Sequence, residues 1–131
     1  PTASATSDAD VSGREILCVD DNERNLFVIG AMLRAAGHDA TECSSGAEAL
    51  ELLASRKFDL VMLDMVMPEM DGLETLAKIR ASGGPNAEIP VIACTANVLP
   101  DQVEAYRRAG TVGVLAKPID PRAMLQAVMH A

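Results

Sequence analysis

From Arg14 onward, short apolar runs rich in Val, Ile and Leu alternate with longer segments whose apolar residues recur at helical spacing. Such alternation is the pattern of a parallel sheet with crossover helices. It predicts a first strand over Glu15–Val19, closed by Asp20-Asp21-Asn22, any of which can cap a helix carrying Leu26, Ile29, Met32 and Leu33 on one face. Gly37 ends that helix. A second strand, His38–Cys43, has the mixed composition of a half-exposed one; Ser44 or Ser45 then caps a helix with Ala49, Leu50, Leu52 and Leu53. The third strand, Leu60–Leu63, is apolar without interruption, as strands buried on both faces are, and Asp64 follows directly.

The loop Met65–Met70 contains Pro68, and Asp71-Gly72 opens a third helix through Leu73, Leu76 and Ile79 to a Gly83-Gly84-Pro85 turn. A fourth strand is predicted over Pro90–Cys94. Thr95-Ala96-Asn97 leads from it into a helix with Pro100 in its first turn and Gly110 at its end. Val112–Leu115 is the fifth strand, closed by Lys117-Pro118; Asp120 then caps the last helix, with Pro121 at its first position. The expected fold class is α/β, a single doubly wound (βα)5 domain over residues 14–131. Residues 1–13 are small, polar and aperiodic and read as a flexible linker or N-terminal extension.

Composition narrows the function. A chain of 131 residues supports one core, and with 49% apolar residues, no Trp and only Tyr106, Phe27 and Phe58 as aromatics, that core is aliphatic. A formal charge of -8 argues against nucleic acid as a direct partner, since affinity there rests on neutralising phosphates. Cys18, Cys43 and Cys94 are widely spaced among apolar neighbours, which suits reduced thiols rather than a disulfide framework or zinc site. No apolar run approaches the ~20 residues that cross a bilayer, and the first residues lack a signal-peptide layout, so no membrane insertion and a cytoplasmic setting are expected. His38 and His130 read as neither phosphodonor nor metal ligand. Met32, Met62 and Met124 read as core filler, and Met65, Met67 and Met70 as lining for a partner surface.

In open parallel sheets, ligands bind beyond the carboxyl ends of the strands, where the strand order reverses. Asp20 and Asp21 lie at that end of the first strand, Asp64 at that of the third, Thr95 at that of the fourth, and Lys117 just beyond the fifth. Three carboxylates at one low-dielectric edge repel one another unless a hard, oxygen-preferring cation neutralises them; magnesium is the natural candidate, with manganese as an alternative. Singly, each residue has a plainer reading, as a helix cap or an exposed side chain. Their convergence from four strand ends favours a site. Its chemistry suits phosphoryl transfer: Asp64 as carboxylate nucleophile, a cation held mainly by Asp21 and Asp64, and Lys117 and Thr95 serving the remaining phosphoryl oxygens.

Four motifs, Val19-Asp20-Asp21-Asn22-Glu23, Leu63-Asp64 through Asp71-Gly72, Thr95-Ala96-Asn97 and Lys117-Pro118, resemble the receiver domains of response regulators and hybrid histidine kinases over about Arg14–Ala131. The resemblance implies Asp20 and Asp21 as an acidic cation pair, Asp64 as phosphoacceptor, and the Val66 carbonyl as a further cation ligand. It implies that Thr95, Lys117 and the Ala96 backbone contact the phosphoryl group. It also implies the flavodoxin-like strand order 2-1-3-4-5, a cis Lys117-Pro118 bond, and a histidine kinase or histidine phosphotransfer protein as partner, with output through protein contacts. The Asn22-Glu23-Arg24-Asn25 stretch looks more like receivers of hybrid kinases than like transcriptional regulators.

One departure concerns mechanism. Receivers usually carry Tyr or Phe three residues before the lysine, where this chain has Val114, which has no ring to swing inward; Tyr106, on the fourth helix, is no obvious substitute. Val66, two residues after Asp64, cannot orient an attacking water, and Asn97 is the nearby polar candidate. Two rivals come from other classes. A magnesium-dependent phosphohydrolase requires a second Asp where Val66 stands, and a binding-only pseudo-receiver typically lacks the acidic pair, the acceptor or the lysine, all present here.

Overall fold

Alternation along each strand decides which helix covers which face. The computed structural model describes residues 13–96 and 98–131. The linker reading, apart from Gly13, and Asn97 lie outside the described residues. In chain order the elements are β1 (Glu15–Val19), α1 (Glu23–Ala35), β2 (Asp39–Cys43), α2 (Gly46–Ser55), β3 (Leu60–Asp64), α3 (Gly72–Ala81), β4 (Val91–Thr95), α4 (Pro100–Arg108), β5 (Gly113–Ala116) and α5 (Pro121–His130). All strand pairs are parallel, in the order β2-β1-β3-β4-β5 that the resemblance implied.

Successive strand residues point to opposite faces. Ile16 and Cys18 of β1, Leu60 and Met62 of β3, and Ile92 and Cys94 of β4 join Leu26, Ile29 and Leu33 of α1 and Met124 and Val128 of α5 in one core. Leu17, Val19, Val61, Leu63, Val91 and Ala93 face the other way and pack with residues of α2, α3 and α4. The central strands β3 and β4 are buried at every position. Each fully buried Leu or Ile removes enough apolar surface from water to stabilise the fold by about 1.5–3 kcal/mol.

Among the described residues, four of the five helices start at polar caps, and α4 starts after Leu99 with Pro100 in its first turn. Asn22 is the residue of its triplet that caps α1, accepting from the Arg24 and Asn25 amides at 2.9 and 3.3 Å. Ser45 caps α2, Asp71 caps α3 and Asp120 caps α5, each accepting from the amide three residues on.

Several expectations need correction. Met65 (4% exposed) and Met67 (8%) are core residues rather than partner lining, because the loop after β3 folds back over the α2–α3 side of the sheet. Met70 is only half-buried. His38 is buried and precedes β2: its amide donates to the Leu33 carbonyl (3.0 Å) in the turn that closes α1. Its Nδ1 accepts from the Arg14 amide at 3.3 Å, and burial, then the Arg14 charge, hold its pKa below the usual imidazole range. Leu73 lies on the exposed side of α3, and β5 begins at Gly113 with Val112 exposed before it. The three cysteines are free and buried, and burial pushes the thiols of Cys43 and Cys94 up to about 12, which suits packing rather than chemistry.

Asn86, in the turn after α3, is a buried polar residue with every link made. Its Nδ2 donates to the Leu53 and Arg56 carbonyls (2.6 and 2.7 Å), and its Oδ1 accepts from the Phe58 amide at 3.0 Å. It thereby ties the end of α2 and the approach to β3 to the turn leaving α3. Asn86→Ala strips partners from three main-chain groups and is expected to destabilise the domain by about 2–4 kcal/mol in urea denaturation. An unchanged midpoint would show that the three links carry no net stability.

Candidate functional site

Extending the strand alternation past the sheet's carboxyl edge assembles the site. Ile16 and Cys18 lead by twos to Asp20, and Leu60 and Met62 lead to Asp64; the β1–β3 register pairs Ile16 with Leu60 and Cys18 with Met62. The two acidic residues are therefore lateral neighbours on the face that carries α1 and α5. Leu115 shares that face, and Lys117 follows two residues later. Its Nζ lies 3.0 Å from Asp20 Oδ2 and 3.0 Å from Asp64 Oδ1.

Each carboxylate is oriented by its own loop. Asp20 Oδ1 accepts from the Asn22 amide at 2.9 Å, and Oδ2 from Asn25 Nδ2 at 3.4 Å. Asp64 Oδ1 accepts from the Val66 amide at 3.1 Å. Both residues are 2% exposed, whereas Asp21 is exposed and reaches the pair from outside. One carboxylate oxygen from each of Asp20, Asp21 and Asp64 lies within 4.8 Å of the others. Thr95, the last residue of β4, is fully buried, and its carbonyl accepts from the Lys117 amide (2.9 Å); Ala96 is exposed beside it. The Lys117-Pro118 peptide is cis.

The structure thus brings together Asp20, Asp21, Asp64 and Lys117 by their side chains, and places Thr95, Ala96 and Val66 on the same rim. Sequence reasoning missed two contributions. Asn25, one turn into α1, reaches back to Asp20; its place just inside a capped helix next to the acidic pair was the available signal. The Val66 amide orients Asp64, a role that a side-chain reading cannot reveal. Val114 is partly buried against the core cluster that contains Tyr106, itself the buried residue of α4.

Charge balance defines what the cleft can hold. Three carboxylates face one ammonium, which leaves two negative charges at a largely buried edge. Like charges ~4 Å apart repel by ~4 kcal/mol at an effective dielectric of ~20, so a divalent oxygen-seeking cation offsets a substantial penalty. The donor set, all hard carboxylate oxygen with one exposed member for access, fits magnesium or manganese and not a thiolate-preferring ion.

Protonation reports burial at the same edge. Burial raises the Asp64 pKa to about 6; the Val66 amide and Lys117 oppose the shift, and the Asp20 charge adds to it. Burial alone would lower Lys117, but its hydrogen bonds to Asp20 and Asp64 leave it above its ordinary value. The ammonium stays charged throughout the neutral range.

Comparison with known proteins agrees with this geometry. Residues 16–129 match the family model described as the response regulator receiver domain. The chain is 42% identical over 112 residues to the sensor histidine kinase AruS of Pseudomonas aeruginosa, covering 85% of this chain and 11% of that protein. It is 38% identical over 105 residues to the signal transduction histidine-protein kinase BarA of Escherichia coli, covering 80% of this chain and 11% of that one. The chain spans little more than a tenth of the length of these curated relatives. Among solved structures, the receiver domain of the Pseudomonas aeruginosa sensor histidine kinase PA1611, which has a magnesium ion coordinated in its active site cleft, superposes with a TM-score of 0.78 at 35% identity. That match covers 92% of this chain and all of that one. The chemotaxis protein CheY4 of Vibrio cholerae superposes with a TM-score of 0.84 at 25% identity, over 91% of this chain and 98% of that one. The chain belongs to the response regulator receiver domain family of two-component signalling. Its homologues include the receiver domains of hybrid sensor histidine kinases.

A stability test follows from Asp64. With a folded pKa of about 6 against ~3.9 unfolded, the fold favours the protonated carboxyl. That contribution is fully present below pH ~4 and is lost as pH rises through about 6. In chelator, Asp64→Asn is therefore expected to gain stability over the wild type between pH ~4 and ~6.5 and to keep that lead above, read by urea denaturation across pH. A difference independent of pH would show that burial does not govern this carboxyl.

Proposed function

We propose that this domain accepts a phosphoryl group on Asp64 from a phosphohistidine of a histidine kinase or histidine phosphotransfer partner, in a magnesium-dependent step. The observation that carries the reading is the meeting of Asp20, Asp64 and Lys117 at 3.0 Å contacts, with Asp21 alongside. Asp64 is the nucleophile. Even with burial raising its pKa, the carboxyl of Asp64 ionises below neutral pH, so no general base is required. A carboxylate oxygen forms a bond to phosphorus as the phosphorus–nitrogen bond of the donor breaks, and the departing imidazole takes its proton from solvent.

Lys117, already beside Asp64, supplies positive charge to one phosphoryl oxygen, and the Thr95 hydroxyl and Ala96 amide serve another. Asp20, Asp21, Asp64 and the Val66 carbonyl would hold the magnesium, or manganese in its place. When bound, the ion supplies positive charge that offsets the acidic cluster and the phosphoryl oxygens. The domain is a signalling element that catalyses its own aspartyl phosphorylation and dephosphorylation. It acts in the cytoplasm and passes its output through protein contacts; among the described residues no helix is long and apolar enough to cross a membrane.

Intact-mass analysis after incubation with acetyl phosphate and magnesium tests this reading. The wild type is expected to gain one phosphoryl group, lost with chelator and in Asp64→Asn, while Lys117→Ala slows the gain by roughly 10²-fold. An equal adduct in Asp64→Asn would refute the acceptor assignment. So would the absence of both adduct and beryllofluoride binding in the wild type, which leaves a binding-only domain.

A further inference from the structure

Gly72 is the first residue of α3, directly after its cap Asp71, and its amide donates to the Met65 carbonyl at 3.2 Å. No unusual backbone angle requires glycine there, and alanine is the better helix former, so local propensity alone favours a side chain. Packing opposes it. A Cβ at Gly72 would lie 2.6 Å from Met65 Cα, 2.6 Å from Met65 Sδ and 2.9 Å from the Asp64 carbonyl oxygen. The sulfur belongs to a flexible side chain. The other two atoms are backbone, and neither yields without moving the Asp64–Met65 segment.

That segment leads into the peptide whose amide holds the Asp64 carboxylate, the 3.1 Å bond from Val66. The loop behind it has little slack. Met65 and Met67 are buried, Glu69 already occupies the left-handed region at φ 68, and the Met70 amide is tied to the Pro68 carbonyl at 2.8 Å.

We propose that Gly72 is a positioning residue for the phosphoacceptor. The missing side chain lets the first turn of α3 seat against the Asp64–Met65 backbone, and this contact keeps the Val66 amide on the Asp64 carboxylate. The proposal rests on Asp64 as acceptor for its kinetic consequence, but not for its geometric one.

The test compares Gly72→Ala with Met124→Ala, which opens a cavity in the core on the α1–α5 face of the sheet. Three quantities are read: hydrogen exchange of the Val66 amide without metal, magnesium affinity by calorimetry, and the initial rate of phosphorylation by acetyl phosphate at saturating magnesium. Gly72→Ala is expected to speed Val66 exchange roughly tenfold, weaken magnesium binding roughly tenfold and slow phosphorylation roughly ten- to a hundredfold. Met124→Ala is expected to lower stability while leaving all three within about twofold, since it lies outside the loop. Unchanged Val66 exchange and magnesium affinity in Gly72→Ala, or equal losses in Met124→Ala, would overturn the proposal. If Gly72→Ala needs help to stay folded, trimethylamine oxide supplies it for all three proteins, and the same ratios decide. If the wild type accepts no phosphoryl group, the acceptor reading fails by itself, and the amide and magnesium readouts still decide whether Gly72 positions the loop.

Discussion

The repulsion among Asp20, Asp21 and Asp64 is the constraint around which this molecule is built. Lys117 Nζ, 3.0 Å from two of the three carboxylates, relieves part of it and leaves two charges uncompensated. Such an edge persists only when the surrounding fold over-determines it. Here β1 and β3 are packed on both faces by aliphatic residues that fix their register, and the register fixes the acidic neighbours. Stability in the core thus sustains an electrostatic cost at the rim, a cost that a divalent cation held by these carboxylates would offset.

The main chain does as much as the side chains. The Asn22 and Val66 amides orient Asp20 and Asp64, and the Lys117 amide is bonded to the Thr95 carbonyl, which ties the end of β5 to the end of β4. A site assembled from strand ends inherits the rigidity of the sheet, whereas its access is set by the loops. Asp21 and Val66 stand on the exposed side of those loops. Val114 and Tyr106 show where this chain departs from the usual receiver pattern: a small aliphatic residue lies on the strand, and the ring in the neighbouring core comes from α4.

Much of this is legible in the sequence, because strand and helix periods differ and polar residues punctuate them, although which residue of Asp20-Asp21-Asn22 or Ser44-Ser45 caps is decided only by the structure. The side chains that meet at the rim, Asp20, Asp21, Asp64 and Lys117, are legible as neighbours for the same reason, since they stand at the ends of apolar runs. What failed to read did so for identifiable causes. Apolar character alone does not separate a strand residue from one beside it: Pro90 and Val112 continue the apolar runs, but the strands begin one residue later. Methionine looks the same in a core and on a docking surface, and only the fold-back of the loop after β3 buries Met65 and Met67. His38 follows the turn that closes α1, and the contact its Nδ1 makes with the Arg14 amide, 24 residues away in the chain, is a tertiary fact. Asn86, in a Gly-Pro-rich turn, carries no mark of the three main-chain groups it serves. Strand order came from the resemblance and not from periodicity, which is blind to lateral arrangement.

The central claim is that the three carboxylates form one divalent-cation site containing Asp64 and balanced by Lys117. Calorimetric titration of magnesium into the wild type, Asp21→Asn, Asp64→Asn and Lys117→Met addresses it most directly. The account predicts one site in the wild type, weakened roughly tenfold or more by either carboxylate substitution and retained or strengthened when the competing ammonium is removed. Binding unaffected by Asp21→Asn and Asp64→Asn, or lost in Lys117→Met alone, would contradict it.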